Sequence, residues 1–112
     1  MKLLSVRTRV RYDDDHDTSY LEQKGFEKRR EAYQNEEFTY VGIDAVAEVE
    51  DSNNVIQRVH SGGTYNIESD NYDNIEEIKA EELDELLDTL RRDYRITQNE
   101  IEDTEIEEDD NI

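Results

Sequence analysis

Apolar residues recur with two different periods along this chain, and the change of period divides it. From Lys2 to Tyr12, Leu4, Val6, Thr8, Val10 and Tyr12 alternate with Ser5, Arg7, Arg9 and Arg11. Period two predicts a strand with one apolar face and one face carrying three arginines. Asp13-Asp14-Asp15-His16-Asp17 ends it. Residues 18–36 are polar and weakly patterned, which predicts a loop with a helical turn near Phe26–Tyr33. Alternation returns over residues 37–49, with Thr39, Val41, Ile43, Ala45, Ala47 and Val49 on one face. The two small alanines leave room for a helix to approach. Asp51-Ser52-Asn53-Asn54 is turn chemistry, and Val55–His60 reads as the hairpin partner. Gly62-Gly63 breaks that strand before a short extended piece at Thr64–Ile67.

Over residues 71–95 the period lengthens to that of a helix. Tyr72, Ile75, Ile78, Leu83, Leu86, Leu87, Leu90 and Tyr94 form one apolar stripe, expected to pack on the Val41–Val49 face. Ser69 or Asp70 is placed to cap its start, and Arg91, Arg92 and Arg95 suit its C-terminal dipole. Beyond it, Ile96, Ile101, Ile106 and Ile112 are spaced too widely for a core stripe. The expected fold is α+β: a single domain over residues 1–95, built as a small three- or four-stranded antiparallel sheet with one C-terminal amphipathic helix packed on it. Residues 96–112 are expected to be an acidic C-terminal tail, disordered when alone.

Charge changes this picture most. The 112 residues carry a formal net charge of −19. Residues 1–35 hold eight Lys/Arg and seven Asp/Glu, whereas residues 36–112 hold five Lys/Arg against twenty-five Asp/Glu. Solubility of a small domain needs a net charge of magnitude only about 2–8, so the excess calls for another explanation. It opposes direct binding to nucleic acid or to an anionic membrane surface. Arg7, Arg9 and Arg11, with Lys28-Arg29-Arg30, are expected to pair with acidic neighbours such as Glu48 and Glu50, or with a second copy's acidic face.

The predicted helix concentrates the excess. Asp73, Glu76, Glu77, Glu81, Glu82, Asp84, Glu85 and Asp88 put eight carboxylates in sixteen residues. At 1.5 Å per residue that is about one charge per 3 Å, close to the roughly 3.4 Å per phosphate along one DNA strand. Only Lys79 interrupts the row, so the Glu–Lys pairs that usually relieve such a face are nearly missing. These eight residues are the candidate partner-binding set. An ordinary solvated helix face is the plainer alternative.

Other chemistries find less support. With no cysteine, disulfides and thiolate metal sites are excluded. Asp13, Asp15 and Asp17 resemble the first half of a calcium loop. Thr18 stands where that loop needs glycine, however, and Lys24 where it needs a bidentate glutamate. His60 and Ser61 are adjacent, and so point to opposite faces of a strand, wrong for a nucleophile and its base. Gly62-Gly63 lacks the Lys-Ser/Thr of a phosphate loop. No catalytic residue, metal or cofactor is expected. No apolar run approaches the roughly 20 residues that span a bilayer. Met1–Arg7 turns charged too early for a signal peptide. The expected location is the cytoplasm, in this reading that of a bacterial host.

Two segments resemble a pattern in small uncharacterised proteins of bacteriophages and other mobile elements. They are Tyr40-Val41-Gly42-Ile43-Asp44-Ala45-Val46-Ala47-Glu48-Val49, and Ser61-Gly62-Gly63 leading to Ile67-Glu68-Ser69-Asp70. The relatives carry Leu-Trp-Gly-like residues after the double glycine, where this chain has Thr64-Tyr65-Asn66. The resemblance spans about 40 of 112 residues; it implies a phage-like origin and brings no assigned activity. In size and charge the chain is also similar to phage DNA-mimic inhibitors of the anti-restriction and anti-CRISPR type. The expected function is therefore occupation of the basic groove of a bacterial nucleic-acid-binding defence protein. The runner-up is a phage structural or regulatory adaptor acting through its sheet edge or acidic tail, and a calcium-responsive acidic module ranks third.

Overall fold

In the computed structural model, which describes residues 1–111, the chain is α+β. The elements are β1 (Lys2–Tyr12), a 3-10 turn (Ser19–Glu22), α1 (Glu27–Gln34), β2 (Tyr40–Glu50), β3 (Ile56–His60), β4 (Thr64–Glu68), α2 (Tyr72–Asp93), α3 (Gln98–Glu102) and β5 (Ile106–Asn111). One five-stranded sheet runs β3-β2-β1-β5, with β4 pairing the other half of β2. This corrects the expected three or four antiparallel strands with one helix. β5 lies parallel to β1, so the sheet is mixed, and short helices flank the long one.

The hairpin β2–β3 follows from its turn. Asp51 accepts hydrogen bonds from the backbone N–H groups of Asn53 and Val55 at 2.8 and 3.0 Å. Asn54 takes the left-handed φ of 62° that asparagine tolerates. In β1 the register slips between Leu3 and Ser5, leaving Leu4 as an extra residue. The bulge turns Leu3 inward and Leu4 outward, the reverse of strict alternation. Tyr12, also assigned to the apolar face, is exposed.

Val41, Ile43, Ala45, Ala47 and Val49 are all fully buried, as the alternation of β2 predicts. Leu86, Leu87 and Leu90 of α2 close over Ala45, Ala47 and Val49, while Ile75 reaches Val41, Ile43 and Ile67. Each such side chain contributes about 1.5–3 kcal/mol on burial. The N-cap of α2 is Asn71, which accepts from the Asn74 N–H at 3.3 Å, rather than Ser69 or Asp70.

The expectation that residues 96–112 stand outside the folded body fails for residues 96–111. Ile96 and Ile101 are buried in the same cluster as Leu86 and Leu90. Between them Thr97 and Glu100 form a reciprocal capping box that starts α3. That turn sends the chain back along β1 as β5. Ile112, the last isoleucine of the tail, lies outside the described residues. The resulting body measures 55 × 23 × 21 Å, with a radius of gyration of 17.2 Å. A compact chain of this length would have about 13 Å, so the molecule is a rod. Among the described residues no helix is long and apolar enough to cross a membrane.

Candidate functional site

Helix α2 sorts its carboxylates by phase. Ile75, Lys79, Glu82, Leu86 and Leu90 fall on the buried side. Asp73, Glu76, Glu77, Glu81, Asp84, Glu85 and Asp88 are exposed. Seven of the eight predicted residues therefore share the outer surface, and Glu82 does not. Its carboxylate accepts from Ser61 Oγ at 2.8 Å, the Gly63 N–H at 2.6 Å and Thr64 Oγ1 at 3.1 Å. Glu85 accepts from the Gly62 N–H at 3.0 Å. The double-glycine turn is thus an anion cradle filled by the protein's own helix. Gly63 adopts φ +83°, and a Cβ there would lie 2.8 Å from the Tyr65 ring.

Two further members of the row are partly neutralised. Glu76 lies 3.4 Å from Lys79 Nζ, and Asp88 lies 3.7 Å from Arg92. Asp73, Glu77, Glu81 and Asp84 have no ion-pair partner among the described residues. They are the uncompensated part of the helix.

Strand β5 adds a second row that the sequence reading treated as tail. Its sequence Ile106–Asn111 contains four consecutive acids, Glu107 to Asp110, and every residue is exposed. Glu107 and Asp109 sit in register with Arg7 and Arg9 of β1. Glu108 and Asp110 face α2, at 2.9 and 3.1 Å from Lys79 Nζ. Lys79 itself is buried. Burial alone would lower its pKa, but the Glu108 and Asp110 carboxylates more than offset that and hold it above the ordinary lysine value. One buried ammonium thus ties the two acidic rows together. Between the rows runs an open groove of about 660 Å³.

Arg9 and Arg29 pair with acids other than the neighbours expected. Arg9 makes a two-pronged contact with Asp44, from Nε at 2.8 Å and Nη2 at 2.6 Å, instead of reaching Glu48 or Glu50. Burial pushes the Asp44 pKa up, but the Arg9 hydrogen bonds bring it below the usual carboxylate range. Arg29 binds Glu68 and Asp70 and lies 4.0 Å over the Phe38 ring.

The acidic loop after β1 binds its own backbone and that of β4. Asp13 accepts from the Asp15 and Asn66 N–H groups at 3.1 and 2.8 Å, and Asp17 accepts from Ser19 at 2.8 Å. Among the described residues no group of three or more His, Asp or Glu is placed to hold a metal ion. Ser61 Oγ is engaged by Glu82 and by the Ala45 N–H, whereas His60 sits beside Arg9 on the opposite face of the sheet. Comparisons with protein-family models, curated proteins and solved structures find no significant match.

Proposed function

We propose that this chain is an acidic nucleic-acid mimic, an inhibitor of the anti-restriction or anti-CRISPR type that occupies the basic groove of a bacterial nucleic-acid-binding defence protein. One observation carries the reading. β5 turns the Glu108 and Asp110 carboxylates toward the exposed row of α2 and Glu107 and Asp109 to the other face of the sheet, along a rod 55 Å long, and the one lysine between helix and strand is buried. Two charged rows flanking a groove are what a site built to grip a phosphate backbone accepts. Ordinary surfaces intersperse both signs, and this one does not. The self-repulsion of such a face costs stability, which makes an undirected origin less economical. The phage-like pattern around Tyr40–Val49 and Ser61–Asp70 supports the same origin. In this reading the protein is not an enzyme, needs no cofactor, touches neither nucleic acid nor membrane directly, and works in the host cytoplasm.

The test is the salt dependence of capture from a bacterial lysate. A mimic binds through many charge contacts, so its basic partner should elute as ionic strength rises toward 0.5 M, where the screening length is only about 4 Å. A partner retained at that salt speaks for the adaptor instead. The adaptor reading has its own support in β3, whose free edge begins at Ile56, about half exposed (53%), next to Val55 (52%).

A further inference from the structure

The free edge of the sheet at β3 differs in charge from the rest of the molecule. Residues 52–67 contain no Asp or Glu, in a chain that has 32 of them. Of the five strands only β1 and β3 lack an acid, and β1 is paired on both sides. The ladder with β2 fixes which backbone groups of β3 stay unpaired. The Ser61 N–H donates to the Ala45 carbonyl at 2.9 Å, and the Asp51 N–H to the Val55 carbonyl at 3.0 Å. Bonded and unbonded pairs alternate in an antiparallel ladder, so the odd-numbered residues of β3 turn their N–H and C=O groups toward β2. Those of Ile56, Arg58 and His60 point outward. A free edge of this kind is a template for another strand.

We infer that β3 pairs with β3 of a second copy, antiparallel, about a two-fold axis between the two Gln57 residues. Ile56 then exchanges both backbone hydrogen bonds with Arg58 of the second copy, and Arg58 does so with the second Ile56. Val55, in phase with the buried Val59, packs beside Val59 of the second copy. On the opposite face the stem of the second Arg58 covers Ile56. Beyond Ile56 lies Glu50, its register partner in β2. Two strand spacings, about 10 Å, separate that glutamate from the arginine, and the two long side chains together span the gap. Neither Arg58 nor Glu50 has an ion-pair partner among the described residues. The pairing supplies one to each. The neighbouring register, with Arg58 facing Arg58, would set like charges directly opposite. The acidic β5 strands stay at the two far edges of the joined sheet, which limits repulsion between the copies.

The inference does not depend on the mimic reading, and its test uses the full chain alone. Sedimentation velocity from micromolar to millimolar concentration is expected to show reversible exchange between monomer and dimer. Added salt should favour the dimer, because it screens the repulsion between two chains of charge −19. Gln57→Cys places two thiols across a non-hydrogen-bonded pair, where Cα atoms lie about 4.5 Å apart, within the range that a disulfide bridges. The chain has no other cysteine. Under mild oxidation this variant should cross-link about tenfold faster than Ser52→Cys in the exposed turn, since its thiols are held together rather than meeting by collision. Ile56→Lys, at an exposed position opposite Glu50, should stay folded by circular dichroism and weaken dimerisation by about tenfold, because it sets a lysine against the second Arg58. A chain that remains monomeric at millimolar concentration, equal cross-linking of Gln57→Cys and Ser52→Cys, or a dimer that Ile56→Lys leaves intact would overturn the pairing.

Discussion

Lys79 Nζ lies 3.1 Å from the carboxylate of Asp110, thirty-one positions further along the chain. The pair joins the middle of α2 to the last strand of the sheet. Without it, β5 would bring the Glu108 and Asp110 carboxylates beside an already acidic helix with nothing to offset them. Replacing Lys79 by Met keeps the buried stem and removes the charge. The variant should lose about 1–2 kcal/mol, because its partners are half exposed and partly screened. Amide hydrogen exchange in Ile106–Asn111 should accelerate while that of β2 stays slow. Equal protection in both strands would show that the backbone ladder alone holds β5.

Cutting the chain after Arg95 removes two buried isoleucines along with the edge strand. At about 1.5–3 kcal/mol for each buried side chain, the truncated protein should melt far below the full chain or fail to fold. An unchanged melting temperature would mean that α3 and β5 add nothing to the core.

Glu81 and Glu82 are neighbours with opposite roles. Glu82→Gln should cost about 1–3 kcal/mol, because three donors lose a charged acceptor in a buried site. Glu81→Gln should be neutral or slightly stabilising, since it relieves repulsion at one-turn spacing. Thermal melts of the two variants side by side check this, and similar effects would contradict the buried cradle.

The Arg9–Asp44 pair sets a pH dependence. The Asp44 carboxyl titrates lower in the fold than its ordinary 3.8. Its stabilisation is therefore present above that value and is lost as pH falls through the lower, folded one. Asp44→Asn should cost about 3–5 kcal/mol near neutrality, the range for removing one partner of a buried pair. The gap between variant and wild type should shrink below about pH 4. A gap constant from pH 7 to 2 would show that shape, not charge, makes Asp44 matter.

The parts of this fold visible in the sequence are those governed by local period. Val41 to Val49 alternates cleanly, and Leu86, Leu87 and Leu90 mark the buried side of α2. Helical phase also marks Lys79 and Glu82, at four- and three-residue steps from Ile75 to Leu86. Their charge hid them, because a charged residue is buried only with partners that the sequence does not display. The start of α3 carried a signal that the expectation of an acidic tail overlooked, since Thr97-Gln98-Asn99-Glu100 is a capping-box spacing. β5 carried none. Its residues carry no apolar alternation, and its pairing joins Val6 to Ile106 across nearly the whole chain. It becomes a strand through its backbone ladder with β1 and the buried Lys79. For the candidate site, the helix row was readable and the second row was not.

The central claim, that two acidic rows stand in for a nucleic-acid backbone, is tested most directly by competition. The captured partner is immobilised with this protein bound, and nucleic acid is added in excess at low salt. In parallel, Asp73, Glu77, Glu81 and Asp84, exposed helix carboxylates with neither an ion pair nor a side-chain hydrogen bond among the described residues, are replaced by their amides. Those changes keep size and relieve repulsion, so stability should hold or rise. The account predicts that nucleic acid displaces the wild type and that the fourfold variant, though folded, binds at least tenfold more weakly. A partner that keeps the protein in the presence of excess nucleic acid, and binds the amide variant as tightly, would contradict it.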